Sequence, residues 1–131
     1  MDMIITFDGK AKVNAEYRGH LIKTDQPSRG GGDDSAPAPF YLFLASVGTC
    51  AGIYVKSFCD QRGIDTDKIR IVQNVEYNPE KRMIGKIKID IQLPGNFPEK
   101  YKNAVIKAAN QCAVKKHLQD PPAIETIATK G

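Results

Sequence analysis

Three cysteines are the side chains in this sequence whose type and setting suggest covalent chemistry. Cys50 lies in an apolar stretch behind Gly48 and Thr49, Cys59 follows nine residues later, and Cys112 stands 62 residues beyond Cys50. On one helix a nine-residue step is about 900°, which leaves half a turn. Cys50 and Cys59 therefore face opposite sides and cannot bridge within it. Cys50 and Cys112 are the pair that tertiary structure could bring together, although sequence gives no separation for them. A thiolate with a second thiol beside it can be oxidised and then closed to a disulfide. Free cysteine is also among the most buried residue types and often only packs. Packing is the competing reading for all three, and most of all for Cys59.

The two histidines do not support a hydrolase. His117 follows Cys112 by five residues, about 140° around a continuous helix, so the two would not hydrogen-bond directly. His20 falls in a turn-and-strand region. No carboxylate pair stands out, and Gly30-Gly31-Gly32 is not followed by the Gly-Lys-Ser/Thr of a phosphate loop. There is no zinc-finger spacing, so neither a metal nor a cofactor is expected.

Several elements must position the cysteines. Ile4, Thr6, Lys10, Lys12, Val13, Ala15 and Tyr17 fall in short runs broken at Asp8-Gly9 and Arg18-Gly19. With His20 to Thr24 they predict a three-strand meander. Asp25 to Pro39 carries Pro27, three consecutive glycines, Pro37 and Pro39, and reads as a long loop, either functional or a plain connector. Phe40 to Gln61 reads as a helix, with Pro39 before it and Arg62-Gly63 closing it. Its first four turns are apolar all round, which predicts burial in a core or at a subunit interface. Gly48 and Gly52 each cost about 1 kcal/mol of helix propensity, and close helix packing is the expected compensation. Ile69 to Tyr77 and Arg82 to Leu93 alternate as half-buried strands around an Asn78-Pro79-Glu80-Lys81 turn. Phe97 to Leu118 reads as a helix in two pieces, and Ala123 to Thr129 as a final strand. Strands, a long helix, a strand pair, a helix and a strand make an α+β domain.

Composition agrees. The 131 residues, 41% hydrophobic and 26% charged, suit one soluble domain spanning 1–131. Three cysteines do not make a disulfide scaffold. The charge is mildly basic, 19 basic against 15 acidic residues, but the lysines are spread along the chain, so no nucleic-acid partner is expected. Phe40 to Val55 is short for a membrane span and contains Gly, Ser, Thr and Tyr, so no membrane is expected either. Met1 to Thr6 lacks the pattern of a secretory leader, and the expected location is the cytoplasm.

The stretch Pro39-Phe40-Tyr41-Leu42-Phe43-Leu44-Ala45-Ser46-Val47-Gly48-Thr49-Cys50 resembles the first-cysteine helix of the osmotically inducible protein C family, which includes the organic hydroperoxide resistance proteins. Cys112-Ala113-Val114, with Leu118 downstream, resembles the family's Cys-Pro-Val run. The order of elements agrees over nearly the whole chain. The resemblance implies an α+β OsmC-like fold, built as an intertwined homodimer whose two central helices pack back to back against antiparallel sheets. It implies reduction of hydroperoxides, organic ones preferentially in many members, at sites formed at the subunit interface. Cys50 would be the peroxidatic thiolate, Cys112 the resolving thiol, and an external dithiol the reductant. A cysteine in an apolar helix has its pKa raised by desolvation and needs a cation to ionise at neutral pH. In the hydroperoxide resistance branch an arginine from the N-terminal strands supplies it, held by a glutamate at the helix start. Arg18 occupies the comparable turn here, and Arg29 in the long loop is the rival. The glutamate position falls on Phe40, with Asp33 and Asp34 the candidate replacements, and Ala113 stands where the family has proline.

The expected function is thiol-dependent reduction of hydroperoxides in peroxide defence. The alternative is a non-enzymatic binder of a small thiol or acyl-thiol ligand at the dimer-interface pocket. Both cysteines are required by the first reading, whereas a binder could tolerate loss of Cys112.

Overall fold

The structure is a computed structural model and describes residues 2–131. The chain divides into two compact units, the first ending at Ala45 and the second running Ser46–Gly131.

The N-terminal unit is the expected meander. Strands β1 (Ile4–Phe7), β2 (Val13–Tyr17) and β3 (His20–Thr24) pair antiparallel in chain order. Arg18 and Gly19 both have positive φ, 52° and 81°. This is the primed two-residue turn whose twist suits a hairpin. Ile5, Ala15 and Ile22 stand opposite one another, on the same face as Phe7. That face is apolar yet open, for Phe7 is 85% exposed.

The loop after β3 is ordered by one carboxylate. Asp25 is fully buried and accepts hydrogen bonds from the amides of Gln26 (2.7 Å), Asp33 (3.2 Å) and Ser35 (3.0 Å) and from the Ser35 hydroxyl (2.6 Å). These donors hold its carboxyl well below the usual carboxylate range, the Ser35 hydroxyl most of all. A Cβ at Gly32 would overlap the Gln26 carbonyl, so glycine is required there. A short 3-10 turn, Ser28–Gly30, lies inside the loop.

Helix α1 (Pro39–Gln61) begins within this unit and continues through the second. Its first residue is a proline, where a missing N–H costs nothing, and the Ala38 carbonyl accepts from Tyr41 and Leu42. At the other end Gly63 takes φ 66°, Ile64 N donates to Cys59 O and Gly63 N to Asp60 O. This reciprocal pattern stops a helix.

In the second unit Ala51, Val55, Phe58 and Cys59 of α1 form a core with Phe97, Val105 and Ala109. Ile71 of β4 (Arg70–Asn78) and Ile89 and Ile91 of β5 (Met83–Gln92) pack against it. The two strands form an antiparallel ribbon, and Asn78 Oδ1 caps its turn by accepting from the amides of Glu80 and Lys81. Glu76 pairs with Lys86 but Tyr77 with Ile84, so Gly85 is an extra residue on β5. This bulge returns Ile84 to the half-buried side shared by Ile87, Ile89 and Ile91, with which it is out of phase in sequence. The second helical region is in two pieces, α2 (Lys102–Ala109) and α3 (Ala113–Gln119).

Two expectations are corrected. A Cβ on Gly48 would come 2.6 Å from Gln73 Oε1, and one on Gly52 would come 3.8 Å from Ile71 Cδ1, so side chains of β4 occupy the space these glycines leave, not another helix. Within one chain helix α1 is buried along one side. Ile53 is 57% exposed, and Phe40 and Tyr41 are also exposed. Ala123 to Thr129 forms no strand, and Ile124 is 90% exposed. Alternation supplies a strand's side chains but not the neighbouring backbone that its amides need. By length and composition alone α1 could cross a membrane, with 23 residues that include an 18-residue window of mean hydropathy 1.5.

Candidate active site

Cys50 sits on α1, half-buried, next to the core residue Ala51. Cys112 is buried, at the break between α2 and α3. The sequence predicts Cys112 within a helix, but it is the residue that caps one. Its backbone is extended, φ −57° and ψ 135°, and its Sγ accepts the Lys115 amide at 3.3 Å while its carbonyl accepts Lys116 N at 3.1 Å. An N-cap leaves the first amides of the helix in need of acceptors. Here sulfur takes them. The Val114 amide acts on both sulfurs, and the Cys112 thiol and the Ala113 amide also act on that of Cys50.

The electrostatics of the pair follow from this arrangement. The Val114 amide is the largest influence on Cys50 and lowers its pKa from the ordinary thiol value. Burial opposes, while the Cys112 thiol and the Ala113 amide add to the lowering. Cys112 moves the other way, raised first by burial and then by the adjacent Cys50 sulfur, against the Lys115 amide. Cys50 is therefore the easier of the two sulfurs to ionise. Both are free thiols. One nucleophilic sulfur with a protonated thiol in hydrogen-bond contact can be oxidised and then closed to a disulfide.

Cys59 is buried in the core side of α1, and burial raises its pKa. It is a packing residue. His117 is not placed by a continuous helix, since α2 and α3 are separate, and its Nδ1 lies 2.6 Å from the Ala113 carbonyl. Arg18 and Arg29 belong to the N-terminal unit. Arg18 lies at the β2–β3 turn with its guanidinium 5.9 Å from the Tyr17 ring centroid, and Arg29 lies in the 3-10 turn. Phe40 is exposed and stacks on Phe43 with ring centroids 5.4 Å apart. Asp33 is bound by Lys10 and Lys12 at 2.5 and 2.6 Å, so it is already committed to lysines. Among the described residues no cluster of side chains could hold a metal ion.

The backbone amides of Ala113 and Val114 are site groups that side-chain reasoning missed. The signal was present in the polar Asn110-Gln111 before Cys112, which interrupts the apolar spacing of the second helix.

The OsmC family model, described as OsmC-like protein, matches residues 31–127. A structure from Mycoplasma pneumoniae, an OsmC-like protein, is 14% identical with a TM-score of 0.71, over 92% of this chain and 87% of that one. A Psychrobacter arcticus protein is 20% identical with a TM-score of 0.72, over 87% and 85%. An organic hydroperoxide resistance protein OsmC from Legionella pneumophila is 18% identical with a TM-score of 0.54, over 91% and 90%. No curated protein sequence matches significantly. The two-piece second helix, the strand pair and the long first helix thus fall in a known α+β fold, and the chain belongs to the OsmC-like protein family.

Proposed function

We propose that this chain reduces hydroperoxides by a two-cysteine mechanism and serves in peroxide defence. The observation that carries the reading is the contact of Cys50 with Cys112, with the ionisable sulfur held by two amides. Membership of the OsmC-like family supports a redox role, and the Legionella neighbour bears a hydroperoxide resistance name.

The Cys50 thiolate attacks the distal oxygen of the peroxide, the O–O bond breaks, and the departing alkoxide takes a proton from solvent. Cys50 becomes a sulfenic acid and the peroxide an alcohol. The Cys112 sulfur then attacks the sulfenic sulfur. Its proton leaves with the hydroxyl as water, and a Cys50–Cys112 disulfide forms. An external dithiol reduces that disulfide by exchange, becoming a disulfide itself and restoring both thiols. Such a cycle needs a reducing compartment, and we place it in the cytoplasm. Arg18 and Arg29 are the candidates for an assisting cation.

The second copy in an intertwined homodimer would cover what one chain leaves open. Ile53 on α1, Phe7 on the meander and Ile124 at the C-terminal end are all more than half exposed. Sharing them between two chains is the reading we favour over a bilayer, because the other side of α1 is packed on a sheet.

The test is consumption of cumene hydroperoxide and of hydrogen peroxide with a dithiol, for wild type, Cys50→Ser and Cys112→Ser, with Arg18→Ala and Arg29→Ala alongside. Turnover should vanish with Cys50→Ser and decay into over-oxidation with Cys112→Ser. A loss confined to one arginine variant would name the cation. No turnover in wild type with both thiols reduced would overturn the enzyme reading and leave the binder of a small thiol or acyl-thiol.

A further inference from the structure

From Lys100 to Gln119 the chain carries five lysines, Lys100, Lys102, Lys107, Lys115 and Lys116, and no carboxylate, with Glu99 and Asp120 just outside. Among the described residues none of these lysines makes an ion pair, whereas Lys10, Lys12 and Lys56 all do. Lys115 spans the break between α2 and α3 where Cys112 sits. Its ammonium donates to Asn110 Oδ1 at 2.7 Å, and its amide donates to Cys112 Sγ at 3.3 Å. The acceptor is neutral, so the charge of this ammonium is held in place without being cancelled. Lys116 donates its amide to the Cys112 carbonyl at 3.1 Å. The outer side of α2 adds Lys102 and Lys107, with Ile106 44% exposed between them, and Leu118 on α3 is 47% exposed.

We propose that the outer faces of α2 and α3 dock the reductant, and that this reductant is a dithiol carried on an acidic protein surface. The proposal rests on the reading that a Cys50–Cys112 disulfide is the oxidised form of the site. A reducing thiolate must come to bonding distance of that disulfide, so the lysines on either side of Cys112 act on whatever carries it. They attract an acidic carrier and repel a basic one, chiefly through the rate of encounter. The open isoleucine and leucine among the lysines suit a protein surface better than a bare polyanion, because an interface joins apolar contact to charge. Reduction is thiol–disulfide exchange. One thiolate of the carrier attacks the sulfur of Cys50, the half-buried member of the pair, the Cys50–Cys112 bond breaks, and Cys112 leaves and takes a proton. The second thiol of the carrier then attacks the mixed disulfide and releases Cys50, and the carrier departs as a disulfide.

The experiment isolates the reducing step. Protein in the Cys59→Ala background is oxidised with diamide, which takes the hydrogens of the Cys50 and Cys112 thiols and becomes the hydrazine. Recovery of the thiols is followed by maleimide–polyethylene glycol gel shift. The reductants are peptides with one Cys-Gly-Gly-Cys centre flanked by aspartates, by serines or by lysines. Each rate is divided by that peptide's rate on hydroxyethyl disulfide, which removes differences in intrinsic thiol reactivity. At about 0.01 M salt, where charge acts over about 30 Å, the aspartate peptide should be about tenfold faster than the serine peptide, and the lysine peptide slower than both. At about 1 M salt, where the range falls to about 3 Å, the peptides should converge. Lys107→Gln/Lys116→Gln should slow the aspartate peptide about threefold at low salt and leave the serine peptide unchanged. Lys86→Gln/Lys88→Gln, on the exposed side of β5, removes the same charge elsewhere and should change neither. Equal rates for the peptides at low salt overturn the proposal. Equal slowing by the two double variants also overturns it, because net charge and not this face would then be acting. Oligonucleotide binding that is lost in Lys107→Gln/Lys116→Gln, with no preference among the peptides, overturns it in favour of a nucleic-acid face. The peroxidase reading is tested separately. A preference for the acidic peptide in a protein without peroxide turnover would keep the docking face and discard the enzyme, and turnover without any preference would do the reverse.

Discussion

Cys112 has two jobs in this structure, and two substitutions separate them. As a cap its Sγ accepts the Lys115 amide at 3.3 Å, and as a neighbour its thiol hydrogen-bonds to Cys50. Cys112→Ser keeps a capping acceptor, since serine is among the best residues at that position, and keeps an O–H to donate to Cys50. Cys112→Ala removes both. Loss of a cap costs about 1 kcal/mol, which lowers the midpoint of thermal unfolding by roughly 3–6 °C for a chain of this size. Loss of the donor to the anion raises the Cys50 ionisation midpoint by about one pH unit, worth about 1.4 kcal/mol. The serine variant should thus unfold within about 2 °C of wild type and label with iodoacetamide at a similar midpoint. The alanine variant should be lower in stability and higher in midpoint. Neither can form the Cys50–Cys112 disulfide, so both should accumulate sulfinic acid under repeated peroxide. Calorimetry, a labelling profile against pH and mass spectrometry of Cys50 read the three quantities separately. Equal stability of the two variants would refute the cap, and equal midpoints would refute the hydrogen bond from residue 112.

Three further outcomes follow from other parts of the molecule. Cys59→Ala should leave peroxide consumption unchanged and cost about 1 kcal/mol of stability, since it removes one buried sulfur from a packed core; a large loss of turnover would mean that the wrong pair of cysteines has been assigned. Asp25→Asn should destabilise the protein at neutral pH, because two amides and a hydroxyl converge on Asp25 Oδ2. The Asp25 carboxyl is depressed in the folded state, so its contribution is complete above the ordinary carboxylate pKa of about 3.9 and is lost only as pH falls below it. Urea melts at a series of pH values should show the gap between wild type and Asp25→Asn narrowing below that pH, and a gap that widens in acid would contradict the assignment. Ile53→Asp puts a charge on the open side of α1, and light scattering should find wild type dimeric and this variant shifted toward monomer; a monomeric wild type would remove the shared-surface argument.

The local elements were legible in the sequence because local rules govern them. Asp8-Gly9 and Arg18-Gly19 break the meander where positive φ is needed, Gly63 ends α1, and alternating isoleucines mark β5. The long loop reads only as proline- and glycine-rich, and its order comes from Asp25, whose partners lie up to ten residues away. The C-terminal alternation misleads, because a strand requires a paired neighbour and this chain provides none for Ala123 to Thr129.

The site divides in the same way. Residue type and spacing alone rule out a Cys50–Cys59 bridge and leave Cys50 with Cys112 as the pair to examine. Only tertiary structure decides that Cys112 lies at a helix break beside Cys50 and that amides of α3 reach the Cys50 sulfur. The reason is physical. Thiol reactivity depends on the few donors within hydrogen-bond distance of one sulfur, and those donors are backbone groups that every residue but proline carries, so their aim is set by the fold and leaves no mark in side-chain identity.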